Sequence, residues 1–353
     1  MRWTTLLFLL LTGGCAQELG KLPLSKNHHL AEPKLEFLGV TGVLIHWRGE
    51  GVLFDPFFSR PSLAQMFWLE PDRDEIDRRM PQAADVTMLL VGHAHYDHML
   101  DVAWVMRKHT PQATVYASSS AGHVLRAEIA AERVVDAQAK MAALSHDPQP
   151  RTVANADNWF YAKKGHIRAM AIQSMHASNA LTRLMCCDYT EDLTALPKLF
   201  WNWKEGQTLA WLVDLLGEDG EPVYRIHYQD SASSAPYGFP PELDDGKPVD
   251  IEILPVASFQ NADDYPQTLL ALTQPRLVVL VHWEDFVGGT PDEPKILRQQ
   301  KDEMLLVDRV KKLVAKETTV VVPHPLSEVA LPAADRRSGV QPSRRDPELN
   351  GLK

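Results

Sequence analysis

Apolar positions along this chain fall in short runs, each bounded by glycine, proline or polar clusters. From Lys34 the runs LEFLGV, GVLIHW and GVLFDPFF follow in quick succession, the last two joined by RGEG, a hairpin signal. The run Val86 to Val91 is short, apolar and β-branched at both ends, as in an interior strand. ATVYA, HIRAMAIQSM, GQTLAWLVDLL, PVYRIHYQ, VDIEILPV, PRLVVLVHW, TTVVVP and EVALP read as further strands. Helical spacing predicts helices over Met99–Lys108, SAGHVLRAEIAAE, DYPQTLLAL and Glu293–Lys316, and the polar stretch Ser59–Ala84 suits helix as well. Strands in runs with a few helices between them predict an α/β fold whose sheets are covered by helices on their outer faces.

The two ends stand apart from this pattern. Arg2, the apolar core Leu6–Leu11 and the small residues Thr12-Gly13-Gly14 have the order of a secretory leader, too short to span a bilayer as a mature helix. Cys15 follows directly and resembles the lipid-modified cysteine of bacterial lipoproteins, with Leu11 four residues before it instead of three. The expected division is a signal peptide over 1–14, a tether over 15–33, one domain over 34–333 and a disordered tail over 334–353. The implied location is outside the cytoplasm, held to a membrane by a lipid anchor and facing the periplasm or the cell exterior.

A net charge of −10 and the lack of a basic run exclude nucleic acid as a main partner. No glycine-rich phosphate loop follows a strand and no G-x-S-x-G elbow is present, which removes the common nucleotide-binding and serine-hydrolase readings. Apart from Cys15 the cysteines are the adjacent pair Cys186-Cys187, which excludes a disulfide framework. They read as two thiols packed in a loop, with a labile vicinal disulfide as the alternative.

The chemistry concentrates in LLVGHAHYDHML, residues 89–100, where His93, His95, Asp97 and His98 follow the strand that ends at Val91. Imidazole and carboxylate with little sulfur suit zinc, manganese or iron. In an extended segment His93 and His95 point the same way and can grip one ion, while Asp97 and His98 turn toward a second. Other ligand-type residues also close apolar strands: Asp55, His176, Asp230 and His282. His166 and His227 are set aside because they lie at the start of, or inside, their strands. His324, flanked by Pro323 and Pro325, is the rival to His282.

In order, these residues resemble the metallo-β-lactamase superfamily of metal-dependent hydrolases: a strand-end Asp, His-x-His-x-Asp-His, a His, a bridging Asp and a final His, over residues 34–332. The resemblance implies a four-layer αββα sandwich with two divalent ions at one edge, zinc first, with manganese or iron as alternatives. It implies His93, His95 and His176 around one ion, Asp97, His98 and His282 around the other, Asp230 between them, and Asp55 behind the histidine loop. FDPFFSRP and HWEDF resemble the N-acyl-phosphatidylethanolamine phospholipase D-like and ascorbate-lactonase-like branches. The stretch 177–206, rich in aromatics at Phe200, Trp201 and Trp203, is expected either to cover the substrate as a lid or to be an ordinary surface insertion.

The expected activity is hydrolysis of an ester-type bond (phosphodiester, lactone or amide) in a small-molecule or lipid-like substrate, by a hydroxide held between the ions. Asp97 and Asp230 are expected to hold that nucleophile and pass on its proton, with His46, Tyr96 and Tyr228 as outer donors. A di-iron oxidoreductase and a non-catalytic metal-binding lipoprotein on the same fold are the alternatives. The former branch usually carries Glu where His95 stands, and the latter would have lost ligands.

Overall fold

The computed structural model describes residues 22–147, 149–177, 180–297 and 303–334. The expected leader, Cys15, the first part of the tether and all but the first residue of the expected tail lie outside the described residues. Strands run in the order β1 (Leu24–Ser25), β2 (Lys34–Gly39), β3 (Gly42–Trp47), β4 (Glu50–Phe54), β5 (Val86–Leu90), β6 (Thr114–Ala117), β7 (Val134–Asp136), β8 (Ala143–Ser145) and β9 (Arg151–Val153). They continue with β10 (Trp159–Tyr161), β11 (Ile167–Gln173), β12 (Leu209–Leu216), β13 (Pro222–Tyr228), β14 (Ile251–Pro255), β15 (Leu277–Val281), β16 (Thr319–Pro323) and β17 (Ser327–Ala330). The helices are α1 (Arg73–Arg79), α2 (Tyr96–Met99), α3 (Val102–Lys108), α4 (Ser119–Leu125), α5 (Ala180–Leu184), α6 (Gln267–Thr273) and α7 (Glu303–Leu313).

Two large sheets result, one ordered β17-β2-β3-β4-β5-β6-β7 and the other β1-β16-β15-β14-β13-β12-β11-β10. Alternation along the strands explains their packing. Val43, Ile45, Val52, Phe54, Met88 and Leu90 share one core with Ile167, Trp211, Val213, Ile226 and Val279 of the second sheet. Their neighbours Leu44, Leu53 and Leu89 point the other way, into a core shared with residues of α1, α3 and α4. On the far face of the second sheet Leu254, Val278 and Leu280 pack with Leu269 and Leu270 of α6 and Leu306 and Val310 of α7. The layers are therefore helix, sheet, sheet, helix, as expected from the sequence.

Local differences have local causes. Ser59–Ala84 forms only a short turn at Gln65–Phe67 and α1, the latter capped by Asp72, whose side chain accepts from the Glu75 amide. The helix expected over Met99–Lys108 is α2 followed by α3, interrupted at Leu100 and Asp101. That expected from Glu293 starts at Glu303 among the described residues, and Ile296 instead bridges Glu284. Residues 22–33, expected as tether, are partly docked: β1 pairs with β16, and the Leu30 amide donates to Glu328. No helix of the described residues is long and apolar enough to cross a membrane.

Candidate metal centre

Strands β4 and β5 run parallel in the first sheet, and β13, β14 and β15 in the second, so their carboxyl ends gather at one edge of the sandwich. Asp55 follows β4, His93 to His98 follow β5, His176 follows β11, Asp230 follows β13 and His282 follows β15. Three overlapping groups form there: His93 with His95 and His176, His93 with His98 and Asp230, and Asp97 with His98 and His282. Within each group one donor atom per residue lies within 4.8 Å of the others. Asp230 falls where the two outer groups meet, bonded to His93 Nδ1 and 3.7 Å from His98 Nδ1. His324 is in none of these groups among the described residues; its ring meets the Pro325 carbonyl instead.

Hydrogen bonds set which ring nitrogens carry lone pairs inward. His93 Nδ1 donates to Asp230, His98 Nδ1 to Asp55 at 3.1 Å, and His176 Nδ1 to the Ala177 carbonyl at 3.0 Å. The ε-nitrogens of His98 and His176 are thereby turned to the cluster, an arrangement in which outer oxygens fix the tautomer of a metal-binding histidine. His93 Nε2 and His95 Nδ1 face each other at 2.8 Å, and His98 Nε2 lies 3.5 Å from Asp97.

The charge balance also fits a cation. Asp55, Asp97 and Asp230 are buried, and no lysine or arginine pairs with any of them among the described residues. Burial pushes the Asp230 carboxyl well above the usual carboxylate range and raises that of Asp97. Burial and neighbouring histidines hold His93, His95 and His282 well below the ordinary imidazole value, and burial brings His176 down to about 4. His98 goes the other way: burial opposes its charge, but Asp97, Asp55 and Asp230 outweigh it and push the ring up to about 9. The three carboxylates thus favour positive charge at His98, which a cation against its Nε2 would supply in place of the proton. Neutral imidazoles and acid oxygens are the donor set that borderline divalent metals take.

Asp55, Val40 and His282 all have left-handed backbones, with φ of 34°, 54° and 54°. Non-glycine residues seldom adopt this, least of all a β-branched one, and the surroundings hold them there. The His282 amide donates to the Val40 carbonyl at 2.5 Å, and the Val40 amide to Glu284 at 2.6 Å. Glu284 is in turn held by buried Arg60 at 2.8 Å. Asp55 accepts from the Gly92 amide at 2.9 Å and from the Tyr228 hydroxyl at 2.7 Å. Tyr228 is therefore a prop for Asp55, and not the outer proton donor expected from its position. His46 is misplaced for that role too: it pairs with Asp85, before the start of β5 and at the opposite end of the sheet. Tyr96 is buried, its ring against Phe57 and Phe286. Gly92 carried no signal in the sequence, yet a Cβ there would lie 2.0 Å from Asp230 Oδ2.

The stretch 177–206 lies directly beside the histidine loop, because the Ala94 amide donates to the Glu205 carbonyl at 2.9 Å. Its aromatics divide. Trp203 is fully buried among core residues and donates to the Pro197 carbonyl, while Phe200 and Trp201 stack with each other and with exposed Phe67.

Residues 50–187, which include Asp55 and the first four histidines of the cluster, match the beta-lactamase superfamily domain. The fold is the metallo-β-lactamase fold. Among solved structures the chain is similar to a diiron β-hydroxylase from Streptomyces venezuelae, with 16% identity and a TM-score of 0.49 over 88% of this chain and 55% of that one. It therefore spans about half the length of the hydroxylase. It is also similar to Igni18, a metallo hydrolase from the archaeon Ignicoccus hospitalis (14% identity, TM-score 0.45, 84% of this chain and 97% of that one). A third similar structure is an isothiocyanate hydrolase from Delia radicum gut bacteria (12% identity, TM-score 0.46, 84% and 98%). No curated protein matches the chain. In metallo-β-lactamase terms, all of the residues singled out from the sequence as ligands lie at the one edge where this fold gathers strand ends.

Proposed function

We propose that this chain is a binuclear metal-dependent hydrolase of ester-type bonds, with zinc as its metal. The observation that supports this most is the overlap of the three donor groups, which share His93 and His98 and leave Asp230 between them. His93, His95 and His176 would hold one ion, and Asp97, His98 and His282 the other. Bound there, such ions supply a Lewis acid for a carbonyl or phosphoryl oxygen and lower the pKa of bound water to about 7 in well-characterised zinc sites.

The chain's own residues divide the remaining work. Asp55 fixes the His98 ring through Nδ1, and Tyr228 and the Gly92 amide fix Asp55. Asp230 is engaged by His93, whereas the histidine nitrogens beside Asp97, those of His98 and His282, lie 3.5 and 3.6 Å away. Asp97 is the freer carboxylate and the one placed to accept a proton from the attacking water. The segment 177–206 would cover the centre and exclude bulk solvent, with Phe200 and Trp201 at the surface on its outer side. The branch we favour is the phospholipase D-like and lactonase-like one, so a lipid-like or lactone substrate comes first. We also propose export and lipid attachment at Cys15.

Metal analysis after chelation and reloading, followed by turnover of phosphodiester, lactone and amide panels, tests the reading. About two zinc ions per chain and turnover of one panel are expected. Protein that reloads no transition metal would end it. Iron with oxidative turnover would favour the oxidoreductase, and full metal with no turnover a binding protein.

A further inference from the structure

We propose that Cys186 and Cys187 form a reversible oxidation site, a vicinal disulfide whose closure loosens the neighbouring metal centre. Both thiols are free and exposed, contrary to the packed loop expected from the sequence, and their sulfurs lie 2.7 Å apart. Exposure is what a thiol needs to meet a soluble reactant; buried cysteines are inert. Cys187 has φ of 84°, so the backbone at the pair already departs from the conformations an L-residue prefers.

Adjacent residues have Cα atoms about 3.8 Å apart across a trans peptide. Ordinary disulfides span about 4.4–6.8 Å, so the eight-membered ring is strained. Strained, exposed disulfides have the more oxidising potentials, which suits a bond that is made and broken in turn. The oxidant is a small-molecule disulfide, RSSR. One thiolate attacks it and releases RS⁻, giving a mixed disulfide. The neighbouring sulfur then displaces the second RS⁻, so two protein thiols and RSSR become one protein disulfide and two RSH.

The backbone carries the effect inward. Carbonyls on either side of the pair are anchored: Met185 accepts from the Glu205 amide at 2.8 Å, and Cys187 from the Gly206 amide at 3.0 Å. The Glu205 carbonyl in turn accepts from Ala94 at 2.9 Å, and Ala94 stands between His93 and His95. Closing a ring between the anchors turns the backbone they hold and so pulls on the loop that presents both histidines.

The thiol chemistry stands independently of the metal reading; only the coupling rests on it. The metal-loaded full chain is treated with dithiodipyridine, and the tryptic peptide that follows Arg183 is weighed. Expected is a peptide lighter by two hydrogens and free of adduct, restored by dithiothreitol, while Cys187→Ser keeps one adduct on Cys186. Two adducts on the wild-type pair, or no reaction, overturn the site. Zinc release to a chelating dye is then followed in both redox states. Loss of an outer support costs about 10–100-fold in metal affinity, so release about tenfold faster is expected after oxidation. No change should occur in a Cys186→Ser, Cys187→Ser double variant. Equal release rates in the two states overturn the coupling and leave the disulfide standing. A chain that reloads no zinc overturns the coupling together with the hydrolase reading, while the peptide mass still decides the disulfide.

Discussion

One methyl group at position 92 should be enough to disable the centre. The Cβ of Gly92→Ala would fall on the Asp230 carboxylate, which is wedged between His93 and His98 and cannot swing away without losing both. Overpacking of this kind costs about 1–3 kcal/mol. Mass spectrometry under native conditions should find fewer than two ions per chain, and the melting temperature should drop even in the metal-free state. A variant with full metal content would show that Asp230 is not needed where it lies. The two histidines that compete for the last position separate as cleanly. His282→Ala should lower metal occupancy and cut turnover by orders of magnitude, whereas His324→Ala should keep its metal and lose only modest stability. The reverse result would move the last ligand to the β16–β17 turn. Ligand-type residues were readable in the sequence because each ends an apolar run, a property of neighbours in the chain. The left-handed turns at Val40, Asp55 and His282 were not readable: Glu284 holds Val40, Gly92 and Tyr228 hold Asp55, and Val40 holds His282, each partner distant in sequence from the turn it holds.

Individual strands are tied together on their outer surface by a buried charge network. Arg225 on β13 reaches Asp214 on β12 at 2.7 and 2.8 Å and Asp245 at 2.9 and 2.7 Å, and Arg168 on β11 joins the same carboxylates. Arg225→Met leaves the buried Asp214 with Arg168 as its remaining guanidinium partner, so the loss should fall below the cost of a fully unpaired buried charge, about 3–5 kcal/mol. Denaturant titration should show the loss, and an unchanged midpoint would mean that the network contributes nothing net. The same group sets a pH dependence. Burial pushes the Asp245 carboxyl up, but hydrogen bonds and charge from Arg225 outweigh this and hold it below its ordinary value. Its contribution is therefore complete above the unfolded carboxylate pKa of about 3.9 and is lost as pH falls through the lower folded value. Asp245→Asn should flatten the stability curve below about pH 4, and a curve parallel to the wild type would contradict the sign. Long strands such as β12 announce themselves by eight consecutive buried residues. By contrast β7 to β10 have three residues each and too little alternation to register, and the break between α2 and α3 falls at Asp101, whose carboxylate accepts from the distant Phe58 and Ser59 amides.

At the scale of the whole molecule, the expected mature protein lacks residues 1–14 and carries lipid on Cys15. Intact-mass measurement of membrane-extracted protein checks this, and a retained Met1 or an unmodified Cys15 would refute it. Metal should also report on the molecule as a unit. If free zinc is held at about 1,000 times its dissociation constant, binding to the folded state alone adds about 4.1 kcal/mol of stability. Chelation should therefore lower the melting temperature of the wild type, and lower that of His93→Ala by less, because Asp97, His98 and His282 remain. The origin of the donors gives this linkage a further meaning. Asp55 and His93 to His98 come from the sheet built on β2 to β7, and His176, Asp230 and His282 from the sheet built on β10 to β16. Under the proposed assignment each ion would need donors from both: His93 and His95 lack a third without His176, and Asp97 and His98 lack one without His282. The centre behaves as a lock that takes two keys, one cut from each half of the chain. Captured ions would then certify that both halves have folded and docked in register, and a chain with one half still open would stay bare.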